Sequence, residues 1–353
     1  MRQVYLRSVG SFVPDNQYSN EELCEILGFS ADKAEKYRRL LGVERRPSCI
    51  DHRNGGKQII SGEELATQAA TKALTRAELE PRQLDAVISC SSFFDYIAPP
   101  VSSRLVKRLG IAETFTLDLI GGCAELLHGL KVAANMIKLG EADNVLVTSS
   151  EVINAWWRQG RYPIEYFIFG DTGGAIVLSA DKGTHVLTDS FLKTRSHIGN
   201  EPAELICVPI VGGKQPVPLF YKEPTMDEAV AGKSDIPAEY RLVHSIRQVA
   251  MGAPGAMIDA TARLLARHAL DPKQTFIVPH QASLGVIKAL AATGVPDAQI
   301  GLSLPNRGNM STSSVPVTLD EHWTEACAQP HLILTAVGVG MSYGALSFDR
   351  VVA

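Results

Sequence analysis

A cysteine directly after a pair of glycines is the first candidate for chemistry in this sequence. The β-prone run Phe115–Ile120 ends in Gly-Gly, and Cys123 follows. Apolar residues then recur at helical spacing to about Leu139, which predicts a cysteine on a strand-to-helix elbow, in the first turn of the helix. Unpaired N–H groups and the positive end of the helix dipole favour a thiolate there, so the pattern predicts a lowered pKa. The alternative is a small, buried and unreactive apolar residue.

Three patches in the second half of the sequence carry further polar groups on short turns. His280 stands between a predicted buried strand and a predicted helix, and open α/β sheets place their sites at such strand ends. Asn309 follows a glycine in the run 306–316, and the glycine-rich turn 338–340 can present backbone N–H groups to an anion. Each patch also has a structural interpretation: a satisfied histidine, a turn asparagine and a tight packing of strands.

The elements that must position these residues alternate along the chain. Strands are predicted over 4–13, 84–90, 115–120, 144–150, 275–278, 332–336 and 343–348. Helices are predicted over 19–27 (opened by a capping box), 31–41, 65–77, 101–109, from Cys123 to 140, 240–270 (with a break near Pro254 as an alternative) and 283–293. Segment 167–178 predicts strands packed at a glycine turn, and 211–218 predicts a surface loop. Such alternation is typical of α/β proteins with a mostly parallel sheet covered on both faces.

The alternation restarts near the middle of the sequence, which indicates a possible duplication. The predicted boundary separates an N-terminal half, 1–178, which carries Cys123, from a C-terminal half, 179–353, which carries His280 and Asn309. The two halves have similar lengths, and each alternates strands with helices. No residue-level repeat accompanies this alternation, so the sequence predicts two α/β halves and leaves their duplication open.

Composition excludes several classes of protein. The 353 residues suffice for two domains or for one large domain with a well-buried core. The formal net charge of −4 argues against a nucleic-acid-binding protein, and no apolar run reaches the ~18 residues of a membrane span. The N-terminal segment lacks the apolar core of a signal peptide. Scattered cysteines and histidines, without a CxxC pair or a metal-ligand cluster, indicate reduced thiols in a cytoplasmic protein and no metal site.

Together, the elbow and the three patches occur in the order seen in the thiolase-like condensing enzymes. Along nearly its whole length the chain resembles β-ketoacyl-ACP synthase III. Further matches are Phe169-Gly-Asp171, Leu41-Gly-Val43 followed by Arg45-Arg46, and Ser314-Val-Pro316 before Leu319-Asp-Glu321. The resemblance implies the duplicated thiolase-like α/β fold with five αβαβα layers, and a homodimer.

The resemblance also implies a mechanism that needs no metal or redox cofactor, since the CoA thioester is a substrate. Cys123 attacks an acyl thioester, and the backbone N–H groups of Cys123, Val339 and Gly340 form the oxyanion hole. A malonyl thioester then loses CO2, while His280 and Asn309 donate hydrogen bonds to its carbonyl and stabilise the attacking enolate. The implied partners are acyl-CoA, a malonyl thioester and acyl carrier protein, with no nucleic acid and no membrane.

The chain departs from the family pattern where the CoA adenine is bound. Primary-metabolism members place a tryptophan and an arginine there, and this chain has Lys36 and Leu40 instead. Tyr37, Arg38 and Arg39 stand close enough in sequence to substitute. We therefore predict these three residues as substrate contacts.

Other departures concern the substrate channel and the elbow. Ala98 takes the place of the aromatic residue that gates the acyl pocket, and Ser283 is a further predicted substrate contact. Trp157 is predicted to line the entrance, with dimer or core packing as its alternative. Glu125 is expected in the first turn of the helix after Cys123, where a negative charge is favourable.

These departures leave the three catalytic candidates intact and alter the channel. The family's chemistry is expected, and both the housekeeping donor and a longer or unusual acyl donor, as in secondary metabolism, stay open. An alternative is acyl transfer to an oxygen or nitrogen acceptor without decarboxylation. A non-catalytic subunit is disfavoured, because Cys123, His280 and Asn309 are all retained.

Overall fold

The computed structural model describes residues 1–92, 98–155, 164–203, 206–207, 211–212, 215–216, 243–244 and 246–351. Their α-helices are α1 (Asn20–Ile26), α2 (Asp32–Leu41), α3 (Gly62–Ala77), α4 (Val101–Arg108), α5 (Glu125–Leu139), α6 (Ile164–Ile168), α7 (Ile246–Arg267), α8 (Leu284–Lys288), α9 (Leu304–Arg307), α10 (Ser314–Glu321) and α11 (Trp323–Ala328). Short 3-10 helices lie at His52–Asn54, Pro81–Gln83, Ile153–Ala155, Pro272–Gln274, Ala289–Thr293, Asp297–Gln299, Ser311–Ser313 and Val339–Met341.

Within the described ranges, nine strands form the main sheet. They are β1 (Tyr5–Phe12), β6 (Ala86–Ser91), β7 (Phe115–Ile120), β8 (Asn144–Glu151), β9 (Thr172–Ser179), β10 (His185–Thr194), β17 (Thr275–Pro279), β18 (His331–Val337) and β19 (Ser342–Arg350). The others form two-stranded ladders: β2 (Gln17–Ser19) with β3 (Arg45–Pro47), β4 (Ile50–Asp51) with β5 (Lys57–Gln58), β11 (His197–Ile198) with β12 (Glu201–Pro202), β13 (Ile206–Cys207) with β16 (Val243–His244), and β14 (Val211–Gly212) with β15 (Gln215–Pro216).

The main sheet repeats one pairing pattern on either side of the contact between β1 and β10. Its order is β17-β18-β19-β10-β1-β9-β8-β6-β7. In the first half-sheet β1 pairs antiparallel to β9, β9 antiparallel to β8, and β8 parallel to β6. In the second, β10 pairs antiparallel to β19, β19 antiparallel to β18, and β18 parallel to β17. The architecture is therefore duplicated, while the boundary at 178/179 stays a prediction.

Two buried helices lie between the half-sheets. Helix α5 contacts β6 and β8 of the first half-sheet and also β10, β18 and β19 of the second. Helix α10 contacts β1 and β9 on one side and β17 on the other. Helices α3 and α4 cover the outer face of the first half-sheet, and α7 covers that of the second. This helix–sheet–helix–sheet–helix order is the predicted αβαβα arrangement.

Close packing fixes the position of α5 and hence of the elbow before it. A side-chain carbon added to Gly129 of α5 would lie 2.4 Å from the sulfur of Cys90 in β6. The helix ends at Gly140, whose φ of +80° is in the left-handed region where glycine carries no steric penalty. The capping box at Ser19 and the end of α2 before Gly42 are likewise confirmed.

Several predicted elements differ from the structure. The predicted helix 240–270 begins at Ile246, and Pro254 lies inside it without ending it, since buried side chains such as Ala253 and Met257 hold both sides of the proline against the sheet. Segment 167–178 is the end of α6 followed by a single strand, so the prediction of two strands there is wrong. Helix 283–293 changes to a 3-10 helix at Ala289.

The predicted loop 211–218 contains the ladder of β14 and β15, and its other residues lie outside the described ones. Strand β10 was not predicted, because its mixed polar sequence lacks a clear two-residue alternation. No helix in the described part of the chain combines the length and the apolar character needed to cross a membrane.

Candidate active site

The elbow predicted from the sequence is confirmed. Strand β7 ends at Ile120, α5 begins at Glu125, and Cys123 lies in the turn between them with 7% of its surface exposed. Glycine at position 122 is required by a neighbouring turn: an added side-chain carbon would lie 2.3 Å from Cγ2 of Val339 and 2.8 Å from its backbone nitrogen. The first turn of α5 also contains Glu125, as predicted.

The thiol of Cys123 does not have the lowered pKa that the elbow predicts. Burial raises its pKa to about 11; the hydrogen bond from Ser311 lowers it in part, and the carboxylate of Glu151 raises it further. A helix terminus returns at most roughly 1–2 kcal/mol, which is less than the cost of removing a thiolate from water. The predicted lowering is therefore wrong, and the resting thiol is protonated at neutral pH.

His280 stands at the carboxyl end of β17, as predicted. Its backbone N–H donates to the carbonyl oxygen of Thr335 on β18 at 2.8 Å. Burial lowers the pKa of its imidazole to about 3, and a hydrogen bond with the Ser311 backbone opposes this only in part. The ring is therefore neutral at pH 7, with one N–H to donate and one nitrogen to accept.

The turn after His280 is fixed by Gln281, which the sequence did not single out. Its side-chain oxygen accepts hydrogen bonds from the backbone N–H groups of Ser303 and Leu304, both at 2.9 Å. Its amide nitrogen donates to the carbonyl oxygen of Pro279 at 2.9 Å. Because Gln281 is completely buried, these bonds tie the histidine turn to the segment that leads to Asn309.

Asn309 is held by both its backbone and its side chain. Its N–H donates to the carbonyl oxygen of Ile168 at 2.7 Å, and its carbonyl oxygen accepts from Gly170 at 3.0 Å. Its side-chain oxygen accepts from the N–H of Ser311 at 2.9 Å. With the oxygen occupied, the amide NH2 is the group left to donate, and among the described residues it donates to the carbonyl oxygen of Ala282, 3.5 Å away.

The glycine-rich turn 338–340 lies against the elbow. A side-chain carbon added to Gly338 would lie 2.9 Å from the backbone nitrogen of Cys123. The N–H of Gly338 itself donates to the carbonyl oxygen of Ser342 at 2.7 Å. The structure thus brings Val339 beside Cys123, whereas Gly340, with a φ of +93°, lies on the exposed side of the turn.

One cavity joins these groups. Cys123, His280 and Asn309 line it together with Gly338 and Val339. The other lining residues are mostly aliphatic: Leu40, Leu41, Ile164, Ile168, Val249, Ala250, Ala253, Ala282, Ser283, Val286 and Val337. Among the described residues of the lining, none is charged at neutral pH. The cavity therefore suits a neutral, largely apolar chain that ends at the thiol.

The predicted adenine contacts are placed differently from one another. The ring of Tyr37 is buried and stacks on Phe167 with centroids 4.5 Å apart, so it belongs to the core and cannot stack on a ligand. Arg38 and Arg39 form surface ion pairs with carboxylates of α1 and α2. The next residue, Leu40, lines the cavity while remaining 54% exposed.

Of the remaining predicted substrate contacts, one lines the cavity. Ser283 lines the cavity and caps α8, where its hydroxyl accepts from the N–H of Val286 at 3.5 Å. Ala98 is exposed, and Trp157 lies outside the described residues. In the part of the chain that the structure describes, no three His, Cys, Asp or Glu side chains lie close enough together to hold a metal ion.

A buried carboxylate close to the thiol was missed. Glu151 is the last residue of β8 and is completely buried. Its Oε1 accepts hydrogen bonds from the N–H of Ser92 at 2.9 Å, the N–H of Thr312 at 3.3 Å and the hydroxyl of Thr312. Burial raises its pKa to about 7. In the sequence, a glutamate at the end of a predicted buried strand was the feature that could have indicated this buried carboxylate.

Comparisons with known proteins agree with this geometry. The family model of 3-oxoacyl-[acyl-carrier-protein (ACP)] synthase III matches residues 117–196, which include the elbow. The model of the C-terminal part of the same family matches residues 265–349, which include His280 and Asn309. A β-ketoacyl-[acyl-carrier-protein] synthase III of Dinoroseobacter shibae is 29% identical over 350 residues, which are 98% of both chains.

Solved structures agree in fold. A 3-oxoacyl-(acyl carrier protein) synthase III of Pseudomonas aeruginosa superposes with a TM-score of 0.80 at 23% identity, over 99% of this chain and 98% of the other. A tetronic acid condensing enzyme superposes with a TM-score of 0.79 at 18% identity, over 98% of this chain and 99% of the other. The chain is therefore similar along nearly its whole length to the β-ketoacyl-ACP synthase III enzymes, an acyltransferase family, and has their thiolase-like fold.

Proposed function

We propose that the chain condenses an acyl thioester with a malonyl thioester, with loss of CO2, through an acyl intermediate on Cys123. The observation that carries the proposal is the convergence of a thiol, a neutral imidazole and a primary amide on one cavity whose described lining residues are uncharged. The thiol supplies a nucleophile, and the other two groups supply neutral donors for an enolate oxygen. Relatives named synthase III over nearly the whole chain support the same reaction.

In the first half-reaction the sulfur of Cys123 attacks the acyl carbonyl. The new S–C bond forms, the thioester bond of the donor breaks, and the thiol proton ends on the departing thiol. Backbone N–H groups of Cys123 and Val339 stabilise the oxyanion between these steps. Because burial raises the pKa of the Cys123 thiol, the proton leaves during the attack and not before it.

In the second half-reaction a malonyl thioester replaces the departed thiol. Its carboxylate leaves as CO2, and the electron pair forms an enolate whose oxygen accepts hydrogen bonds from His280 and Asn309. The enolate carbon attacks the acyl group, a C–C bond forms, and the S–C bond to Cys123 breaks with its electron pair on the sulfur, which then takes a proton from water. A low imidazole pKa suits this role, because a neutral ring donates without becoming acidic enough to protonate the enolate.

We propose acyl-CoA as the donor and a malonyl group on acyl carrier protein as the acceptor, in the cytoplasm. The names of the relatives support the carrier protein. The aliphatic cavity supports a donor whose acyl or pantetheine chain is neutral along its length. No metal or redox cofactor takes part in either half-reaction.

We further propose a homodimer that pairs through β7. This strand is the last of the sheet and pairs on one side with β6. Phe115 and Ile120 at its ends are 50% and 62% exposed. An edge strand with exposed apolar side chains is a surface that another strand covers.

The test is intact-protein mass spectrometry after exposure to a panel of acyl-CoAs, with Cys123→Ala beside the wild type. A mass increase that matches one donor and is absent from the variant supports the acyl-enzyme and identifies the acyl group. No adduct with any acyl-CoA, followed by none with a panel of acyl carrier proteins, would refute it. Release of CO2 from malonyl thioester by the acylated enzyme separates condensation from acyl transfer to oxygen or nitrogen.

A further inference from the structure

We propose that Ser311 is a further catalytic residue, whose hydroxyl donates a hydrogen bond to the sulfur of Cys123. We also propose that Glu151 is a positioning residue, which holds the turn that carries Ser311. The inference rests on the proposed function, in which Cys123 is the nucleophile. It assigns a task to two buried groups that neither half-reaction, as written above, requires.

The geometry of Ser311 is the first support. Its Oγ lies 3.5 Å from Sγ of Cys123, and both side chains are buried. Ser311 also has a φ of +47°, in the left-handed region where the backbone of a non-glycine residue is strained. Glycine would remove this strain but also the hydroxyl. A strained serine in contact with the nucleophile points to a use of the side chain.

The electrostatics of the thiol are the second support. The titratable groups that face Cys123 are Glu151, which is acidic, and His280, which is neutral. No cation is present among the described residues that line the cavity. A negative sulfur at this place therefore depends on neutral donors, and a hydroxyl that donates to an ionised acceptor forms one of the stronger hydrogen bonds.

The supply of protons is the third support. The Ser311 hydroxyl has a single proton, and the oxygen of Ser92 lies 2.7 Å from its own. Oε1 of Glu151 already accepts from the N–H of Ser92 and from both donors of Thr312. The hydroxyl of Ser92 also hydrogen-bonds with this carboxylate and helps to lower its pKa, so Glu151 and Ser311 share the single proton of Ser92. When Ser92 donates to Ser311, the proton of Ser311 is left for the sulfur, where the hydrogen bond lowers the pKa of the Cys123 thiol.

Glu151 connects the three segments that meet at the thiol. From the end of β8 it binds the loop at Ser92 and the turn at Thr312, one residue after Ser311. The backbone N–H of Ser311 in turn donates to the side-chain oxygen of Asn309. By holding this one turn, the carboxylate of Glu151 therefore positions both Ser311 and Asn309. Its removal is expected to move Ser311 away from the sulfur.

The experiment measures how fast iodoacetamide alkylates Cys123 across the neutral and alkaline pH range, by peptide mass spectrometry. Ser311→Ala and Ser311→Gly both remove the hydroxyl, and the glycine variant also removes the backbone strain. Below the thiol's midpoint we expect both to react about tenfold more slowly than wild type, which corresponds to a rise of about one unit in the Cys123 pKa. If the two variants slow alkylation equally, the cause is loss of the hydroxyl donor and not relief of the backbone strain.

Ser313→Ala is the matched control. It removes a neighbouring buried hydroxyl, which donates to the carbonyl oxygen of Thr172 at 3.2 Å and not to the sulfur. We expect its alkylation rate to match wild type. Wild-type rates in both Ser311 variants would overturn the proposal. So would an equal loss in Ser313→Ala, since packing alone would then explain the effect.

Glu151 is tested by a pair of variants. Glu151→Gln keeps an oxygen that accepts from Ser92 and Thr312, and we expect alkylation at or above the wild-type rate. Glu151→Leu removes the acceptor, and we expect its rate to fall towards that of Ser311→Ala. Thermal unfolding identifies a variant that is not folded. A folded Glu151→Leu protein with wild-type reactivity would overturn the positioning role.

Alkylation needs no acyl donor, so the two proposals fail separately. If wild type takes no acyl group from any thioester, the proposed function fails, while the alkylation rates still decide whether Ser311 serves the thiol. If wild type is acylated and the Ser311 variants are acylated and alkylated at the wild-type rate, only the present inference fails.

Discussion

The two halves of the molecule place a different turn at the same point of the same architecture. In each half a turn precedes the buried helix between the half-sheets: residues 121–124 before α5, and residues 309–313 before α10. The first turn contains glycines, which let the backbone before Cys123 pack directly against the backbone of the turn 338–340. The second turn uses side chains, so that Asn309 and Ser311 reach towards the first. The duplicated architecture thus brings the N-termini of α5 and α10 together. The residues in the first turn supply the nucleophile, and those in the second supply the hydrogen-bond donors.

The outer edges of the halves differ as well. In the first half β7 pairs along its full length with β6 and leaves apolar side chains exposed. At the corresponding place in the second half, beside β17, the described residues form an isolated bridge between Ile277 and Ile300. A regular strand at one edge and an irregular segment at the other predict that association uses the first half alone.

The largest expected effect comes from substituting one residue in each turn, because the first turn is needed for acylation and the second for CO2 release. Cys123→Ala is expected to abolish acylation, whereas Asn309→Ala keeps acylation and lowers CO2 release about 10²- to 10³-fold, because one donor to the enolate is lost. Acyl-enzyme mass and CO2 release measure the two steps. Asn306→Ala, an exposed neighbour of the same turn, serves as control. A fall in acylation equal to the fall in CO2 release would contradict the division of roles.

The next prediction concerns the edges. Phe115→Lys puts a charge on each copy of β7 where two copies would meet, and should weaken association about 100-fold or more. Leu302→Lys makes the same change at an exposed apolar residue near the second edge, where we expect no effect. Sedimentation velocity measures both. An equal loss in the two variants, or none in Phe115→Lys, would show that the edges do not differ.

The contact between the elbow and the turn 338–340 is tested from both sides. Gly122→Ala and Gly338→Ala each force a side-chain carbon within 3 Å of the other turn, and should destabilise the fold by about 1–3 kcal/mol. Acylation should fall at least about tenfold, because the oxyanion donors shift. Gly285→Ala is the control, since an added carbon there meets nothing within 4 Å. Wild-type acylation in both variants would argue against an oxyanion hole at this contact.

The smallest prediction uses the opposite pKa shifts of the two halves. Burial raises the pKa of Glu151 from 4.5 to about 7, so the unfolded chain binds fewer protons in that range and stability falls as pH rises through it. Burial lowers the pKa of His280 from 6.5 to about 3, so the unfolded chain binds more protons and stability rises with pH up to 6.5.

Urea unfolding over a pH series separates these contributions. Glu151→Gln should remove a downward slope of at most about 1.4 kcal/mol per pH unit, and His280→Gln an upward slope of similar size. Ser313→Ala, which removes no titratable group, is the control and should keep the wild-type slope. Two active-site variants that change the slope in the same direction would be inconsistent with the opposite shifts.

The sequence predicted the local parts of this site and missed those that depend on distant segments. The elbow at Cys123 was predictable because strand, glycines and helix are contiguous. The raised pKa of its thiol was not, since burial comes from turns more than one hundred residues away. Tyr37 was predicted as a ligand contact for the same reason. Its ring packs in the core against Phe167, which is distant in sequence, so neighbouring residues did not indicate its burial.

Ser311 and Glu151 show the same limit. In sequence they are a turn serine and the last residue of a strand, and only the fold brings each of them near Cys123. Conversely, the capping box at Ser19 was predicted correctly because all its atoms belong to four consecutive residues.

The position of α10 has a consequence for the order in which the protein is made. This helix packs on β1 and β9, and its Asp320 binds Lys72 and Arg76 of α3 and Ser11 of β1. All those partners leave the ribosome long before residue 314 does. The newly made first half therefore exposes one apolar face of its sheet until most of the second half has followed, and it depends during that time on protection from aggregation.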